Sequence, residues 1–303
     1  MLAVKRYNSD LHIFRRSLRL MGNRFEISVV GSDAVWADNC IDSAVTEINR
    51  VEKLLSTLNE DGQITGINRN AGLKPVKISA EVFRLIERAL DISELTQGAF
   101  DITYSADINQ EESGSGRFTN YRNVVLNSEN TTVFLQEKGM RIGFGAISKG
   151  YAADRAKYIL QMMGVASGVV NAGGDLLTWG LQPDDEPWTI AAADPSQDSQ
   201  PYSDVRISNM AVATSGNFDT GPVICDQTYP VNIDVKKGFP VSVLKRVSIV
   251  SPTAELSDAM ATPVMTMGVN AGLYLINKLQ QLACIIVDDH DRVYTSKEVS
   301  CLT

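Results

Sequence analysis

The chain has 303 residues, 44% hydrophobic and 21% charged, which is enough to bury one large core or two modest ones and unlike a disordered, collagen-like or coiled-coil sequence. Its 28 Lys and Arg stand against 36 Asp and Glu, a net charge of −8; that is not the footprint of a nucleic-acid binder, and any phosphate it holds needs a cation placed locally. With only His12 and His290 as histidines, and Cys40, Cys225, Cys284 and Cys301 scattered without a C-x-x-C pair, a Ser-His-Asp hydrolase, a zinc site and a disulfide framework are all poorly supplied.

Residues 1–20 carry charges every few positions and no cysteine, so neither a signal peptide nor a lipid-attachment site is expected, and a cytoplasmic protein is. Residues 17–30 alternate on either side of Met21-Gly22-Asn23, predicting two strands around a tight turn. Ser32 and Asp33 can cap a long helix in which Val35, Cys40, Ile41, Ala44, Val45, Ile48, Val51, Leu54, Leu55 and Leu58 recur at three- and four-residue steps as one core-facing stripe. A second helix follows Ser79 and stops at Gly98, a good left-handed cap position, with a strand over 99–104 straight after.

Residues 106–118, acidic and then Gly/Ser-rich, read as an exposed loop. Strand-prone runs at 123–126 and 131–136 lead to GFGAISKGYAADRAKYILQMMG, a glycine turn entering a helix that ends at Gly164. The uncharged run 158–174 is interrupted by Gln, Ser, Asn and Gly, so no membrane span is expected there. It contains a strand that meets a second one across Gly173-Gly174. Further strands are predicted at 189–193, 211–214 and 246–250, helices from Ala254 and from Asn270, and a closing hairpin of 284–287 with 292–294. Strands and helices do not alternate regularly and no repeat is evident, which predicts an α+β fold rather than a doubly wound sheet. No linker marks a boundary, so 1–303 is read as one domain.

Three stretches carry chemistry. In GAISKG, Gly145 allows close backbone approach, the helix start offers unpaired N–H groups, and Lys149 adds a cation, a set suited to phosphate; the plainer reading is a turn followed by a solvated lysine. In SPTAELSDAMATP, Asp258 and Thr262 are four apart and share a helix face, offering hard oxygens of the kind Mg²⁺ takes beside a phosphate. An exposed Asp and a Thr bonded to its own helix would look the same. Pro263 removes the N–H that would reach the Ala259 carbonyl, and a kink is predicted there. In NAGGDLLTWG, Gly173 and Gly174 let the main chain pass close to a bulky group with Asp175 beside it, or form only a tight strand connection.

Taken together and in order, LMGN, GAFDIT, GAISKGYAADRA, NAGGDL, VATSGNF and SDAMATPVMTMG resemble the ApbE family of FAD:protein FMN transferases over about residues 20–268. The resemblance implies an α+β fold of mixed sheets with packed helices, FAD as substrate, Mg²⁺ as metal, and transfer of FMN to a Thr or Ser hydroxyl of an acceptor protein while AMP leaves. It implies Mg²⁺ ligands at Asp258, Thr262 and the carbonyl of Ala146, and flavin contacts from Met21, Ala99, Phe100, Asp101 and Lys149, with Gly173, Gly174 and Asp175 completing the cofactor set. Lys149 and Asp258 then double as catalytic groups. A lysine and a divalent ion beside a pyrophosphate fit the charge that grows in phosphoryl transfer.

The family's H-x-I-D-P-x-T-G reads VNIDVKKG here. Val231 stands at the histidine, Val235 at the proline and Lys237 at the threonine, while Asp234 and Gly238 remain. A general base is worth about 10²- to 10⁴-fold, and another group, such as Asp234 or a metal-bound ligand, is expected to take over its part. Leu58 replaces a family aromatic and Gly143 a family Asp, both on the nucleotide side of FAD. Two other outcomes follow from the same departures: a flavin- or metal-binding paralogue without transfer, and a Mg²⁺-dependent hydrolase releasing FMN and AMP.

Overall fold

The hairpin around Met21 opens the fold. In the computed structural model of the chain, which describes residues 10–105, 119–192, 202–206, 208–216, 223–224, 227–228 and 244–297, β1 (His12–Leu20) and β2 (Asn23–Gly31) pair antiparallel from His12↔Gly31 to Leu20↔Asn23. Met21 (φ 50°) and Gly22 (φ 72°) both take left-handed geometry, the turn that matches strand twist in a two-residue hairpin. Helix α1 (Ala34–Leu55) begins where Asp33 Oδ1 accepts the Trp36 N–H at 2.7 Å, and it buries Ala37, Cys40, Ile41, Ala44, Ile48, Val51 and Leu55. Val35 and Leu58 do not join that face, being 72% and 91% exposed; one precedes the first full turn and the other lies past the helix end. Contacts divide the chain into two compact units, Met1–Ile48 with Lys149–Thr303, and Asn49–Ser148.

In the unit Asn49–Ser148, the end of α1 is followed by α2 (Gln63–Arg69), β3 (Val76–Lys77), α3 (Ala80–Leu95), β4 (Thr103–Ser105), β5 (Val124–Asn127), β6 (Thr132–Leu135) and β7 (Met140–Ile142). Strands β3, β6 and β5 form one small sheet and β4 pairs with β7. Ser79 caps α3 through Val82 N; the helix ends at Leu95 with Thr96 as its C-cap, a little before the predicted stop, and the left-handed turn that follows uses Gln97 (φ 53°) as well as Gly98 (φ 78°). The predicted strand 99–104 starts only at Thr103, because Asp101 Oδ1 accepts the Thr103 N–H at 2.9 Å and bends the chain first. Helix α2, absent from the sequence reading, buries Ile64 and Ile67. Within it the Asn68 side chain behaves as a strand partner, donating to Ile142 O (3.0 Å) and accepting from Ile142 N (2.8 Å).

The other unit is built on an eight-stranded sheet. After α4 (Ser148–Met162) come β8 (Gly168–Ala172), β9 (Asp175–Trp179), β10 (Thr189–Ala192), β11 (Tyr202–Arg206), β12 (Ala211–Gly216), β13 (Val223–Ile224), β14 (Gln227–Thr228), β15 (Leu244–Ser251), α5 (Ala254–Ile276), β16 (Ala283–Asp288) and β17 (Val293–Thr295). The large sheet runs β1-β2-β8-β9-β12-β15-β16-β17, and its pairings are antiparallel throughout. Alternate residues Phe25, Ile27, Val29, Leu177, Trp179, Ala211, Ala213, Val247, Ile249, Cys284 and Ile286 are buried on one face, and on the other Val250 and Ala283 form a smaller buried cluster with Met210, Val212 and Ile285 against it. Helices beside all-antiparallel sheets give the expected α+β class.

Helix α5 packs across β9, β12, β15 and β16. The predicted kink is misplaced: Pro263 lies within helical backbone, and the break falls at Gly268 (φ 79°, ψ 177°), where only glycine holds such a φ without strain. That break divides the segment near the two predicted helices. By length and mean hydropathy, 1.3, α5 passes as a membrane span, yet Ala259, Met260, Ala261, Val264 and Met265 are buried in this unit's core. The closing hairpin turns on Asp288, which accepts from His290 N, Arg292 N, Arg292 Nε and Tyr294 Oη at 2.7–3.2 Å.

Candidate active site

Helix α4 is preceded by a tight turn in which Ile147 and Ser148 donate to Phe144 O (3.1 and 2.8 Å), and Lys149 follows in its first turn. The Lys149 ammonium lies between two carboxylates, 2.8 Å from Asp175 Oδ2 and 3.2 Å from Asp258 Oδ1. Asp175 starts β9 directly after Gly173-Gly174, and its other oxygen accepts the Thr214 N–H of β12 at 3.2 Å. Asp258 Oδ2 accepts the Gly150 N–H at 3.0 Å. Side-chain exposure is 25% for Lys149, 11% for Asp175 and 10% for Asp258, so one partly buried cation faces two nearly buried anions.

Burial lowers the affinity of Lys149 for its proton, but Asp258 and Asp175 more than reverse this and hold the ammonium charged. Burial pushes the Asp258 carboxyl above its ordinary range, Lys149 pulls it part of the way back, and Asp175 pushes it up again. The excess carboxylate is the chemical character of the cluster. One turn along α5, exposed Thr262 places Oγ1 3.3 Å from Ser215 Oγ, and Thr214 Oγ1 meets Ser248 Oγ at 2.9 Å. The site thus grades from nearly buried charge through part-buried hydroxyls to exposed Thr262.

The first turn of α4 departs from the expected set of unpaired N–H groups, because Ser148 N donates to Phe144 O and Gly150 N to Asp258. An internal carboxylate already occupies this helix N-terminus, satisfying its dipole. Lys149 spends two of its three donors in the same way, leaving one for a ligand.

The residues fit a hard divalent cation on their own chemistry. Asp258 and Thr262 offer oxygen donors one helical turn apart, and two carboxylates against one ammonium leave negative charge for a cation to neutralise. Among the other expected residues of this unit, the turns Met21-Gly22 and Gly173-Gly174 lie side by side: Gly173 N donates to Arg24 O at 2.9 Å, and a Cβ on Gly173 would sit 3.3 Å from that of Asn23. Asn23, Arg24, Glu26, Asn171, Gly173 and Gly174 line an open hollow of about 480 Å³ there.

In the unit Asn49–Ser148, Ala146 is exposed in the turn before α4. Ala99 is half-buried, and Phe100 is buried, 2% exposed. Asp101 gives its second oxygen to Tyr121 N at 2.9 Å, committing both oxygens to the backbone. Asp234 lies outside the described residues, as do Val231, Val235, Lys237, Gly238, Cys225, Cys301 and the predicted loop 106–118.

Sequence reasoning missed Asp154. On α4, one turn after Gly150, its carboxylate accepts the Ala254 N–H at 3.0 Å and the Glu255 N–H at 2.8 Å. A single-sequence pattern carries no signal for a contact spanning 100 positions. Burial pushes its carboxyl up to about 6 against the opposing pull of those two bonds, with Glu255 adding to the rise and Lys157 opposing it.

The model of the ApbE family matches residues 21–286. The FAD:protein FMN transferase of Klebsiella pneumoniae (strain 342) is 27% identical, over 92% of this chain and 90% of its own length. That of Vibrio cholerae serotype O1 is 25% identical, over 91% and 88%. Among solved structures, the ApbE protein of Thermotoga maritima is similar at a TM-score of 0.82 and 24% identity, covering 96% of this chain and 99% of that one. The flavin transferase ApbE of Vibrio cholerae is similar at 0.79 and 21%, covering 97% and 100%. These two structural likenesses bear out the α+β architecture.

Proposed function

The chain belongs to the ApbE family, and on that premise we propose that residues 1–303 act as one FAD:protein FMN transferase domain. The reaction moves FMN from FAD to a Thr or Ser hydroxyl of an acceptor protein, depends on Mg²⁺ and releases AMP. The observation that carries this reading is the Lys149–Asp175–Asp258 cluster at the start of α4, with Thr262 one turn along α5.

In this reading Asp258, Thr262 and the Ala146 carbonyl hold Mg²⁺, which when bound neutralises charge on the pyrophosphate. The remaining donor of Lys149 takes a phosphate oxygen, and Asp175 keeps the ammonium in place. Met21, Ala99, Phe100, Asp101, Gly173 and Gly174 contact the flavin, Phe100 through its backbone because its ring is buried. The acceptor hydroxyl oxygen bonds to the FMN phosphorus as the bond to the bridging oxygen breaks. AMP departs with that oxygen, and the hydroxyl proton passes to Asp234.

The test is chromatography of the protein incubated with FAD, a Thr/Ser-bearing acceptor protein and either Mg²⁺ or a chelator, with Asp258→Ala beside it. Mg²⁺-dependent AMP release, lost in the variant, is expected; free FMN appearing with it identifies water as the acceptor. No flavin bound under either condition contradicts the reading. Val231 at the family's histidine position favours one rival, a paralogue that binds without transfer, and that protein would retain intact FAD and yield no AMP with any acceptor.

A further inference from the structure

An α-helix begins with four N–H groups that have no partner within it. In α5 the first three amides of the helix, Ala254, Glu255 and Leu256, are satisfied from two sources. Thr253, the N-cap, covers Leu256 N through its side chain at 3.4 Å, while its carbonyl accepts the first regular helix bond from Ser257 N at 3.3 Å. The two leading amides, Ala254 N and Glu255 N, are covered by Asp154 of α4. A helix whose own cap is present has imported a part-buried carboxylate from another helix.

The position of that carboxylate gives the import its meaning. On α4, Gly150 and Asp154 are one turn apart; on α5, so are Ala254 and Asp258. Asp154 meets Ala254 and Glu255, while Gly150 N meets Asp258, so two rungs join the helices. Between them the backbones touch: a Cβ on Gly150 would lie 2.2 Å from Ala254 O. Slackening the Asp154 rung therefore acts on the Gly150–Asp258 rung and on the distance from Lys149 to Asp258.

We propose that Asp154 is a positioning residue, holding the helix that carries Asp258 and Thr262 against the helix that carries Lys149. This rests on the cluster being the functional site, as argued above. Arg155, its neighbour, faces elsewhere and pairs with Glu47 of α1 at 2.8 Å, which provides a control for general loosening of α4.

Gly150 N is a first-turn amide whose acceptor is Asp258 Oδ2, so its hydrogen exchange reports the rung without metal, flavin or turnover. In Asp154→Asn, with one acceptor oxygen in place of two, exchange at Gly150 should quicken by about tenfold while Val247–Val250 amides of β15 keep their protection. Arg155→Ala should leave Gly150 as in the parent. Mn²⁺ affinity should fall by about tenfold in Asp154→Asn, as for other groups that orient a ligand. Unchanged protection at Gly150 overturns the proposal. So does a loss shared equally with β15 or reproduced by Arg155→Ala, since either makes Asp154 a general stabiliser. A parent protein that binds no Mn²⁺ counts against the metal site alone, and the exchange result still decides the role of Asp154.

Discussion

Lys149 and Asp258 stand 109 positions apart in the chain, yet Nζ and Oδ1 are 3.2 Å apart, and the adjacent amide of Gly150 takes the other carboxylate oxygen at 3.0 Å. An anion is thus held at a helix N-terminus beside a lysine, the arrangement that suits a phosphate, and here the anion belongs to the protein itself. Any cation that binds Asp258 competes with Lys149 for it.

Lys149→Met makes that competition measurable. It leaves Asp175 and Asp258 facing each other without a counter-charge, at a cost of about 3 kcal/mol, and should lower Tm in chelator. Mg²⁺ should then raise Tm by more in Lys149→Met than in the parent, because the ion replaces the missing charge and no longer displaces an ammonium. Thermal melts with and without Mg²⁺ check both parts; equal gains would refute the competition.

Gly150→Ala should be among the most harmful single-methyl changes in the chain. The added Cβ meets backbone, 2.2 Å from Ala254 O and 2.8 Å from Glu255 N, so a helix must move, at about 3 kcal/mol. Gly145→Ala, where nothing lies within 4 Å, should change stability little. Chemical denaturation of the two variants provides the contrast.

Asp154 should leave a signature in the pH dependence of stability. Its carboxyl is raised from 3.8 to about 6 in the folded protein, so the folded state binds its proton more tightly than the unfolded one. The contribution is fully present below 3.8 and lost as pH rises through about 6, a span worth about 3 kcal/mol. Relative to Asp154→Asn, the parent should therefore lose stability between pH 4 and 6 and run parallel above that. The ionised carboxylate that bridges the helices is maintained at the expense of stability.

The closing hairpin has the opposite sign. Burial would raise the Asp288 carboxyl, but its bonds to Arg292 and His290 hold it down at about 2. Its contribution is present above 3.8 and lost as pH falls toward 2. Asp288→Asn should abolish that acid loss, read by exchange at the paired residues Ile285–Val287 and Val293–Thr295.

Local chemistry made much of this fold legible. Met21-Gly22, the Asp33 and Ser79 caps, and Gly164 mark boundaries through their own backbone preferences, and each boundary stands, while Gly98 marks the turn just after a helix that ends at Leu95. Failures arose where distant residues decided. Helix α2 has only seven residues and two buried isoleucines, too little periodicity to separate it from a loop. The strand after Gly98 was shortened by the Asp101 turn, and the kink of α5 went to Gly268, whose φ no other residue shares cheaply, while the helix absorbed Pro263. The motifs named Lys149, Asp175 and Asp258 as separate suspects, and only the fold brings them together. Asp154, which binds amides 100 positions away, was beyond any reading of spacing.

The most direct test of the site is equilibrium titration of Mg²⁺ into the purified chain, compared with Asp258→Asn and Thr262→Val. The account predicts saturable binding in the parent, weakened by Thr262→Val and lost in Asp258→Asn, with all three proteins folded. Equal Mg²⁺ affinity in the parent and Asp258→Asn would contradict it.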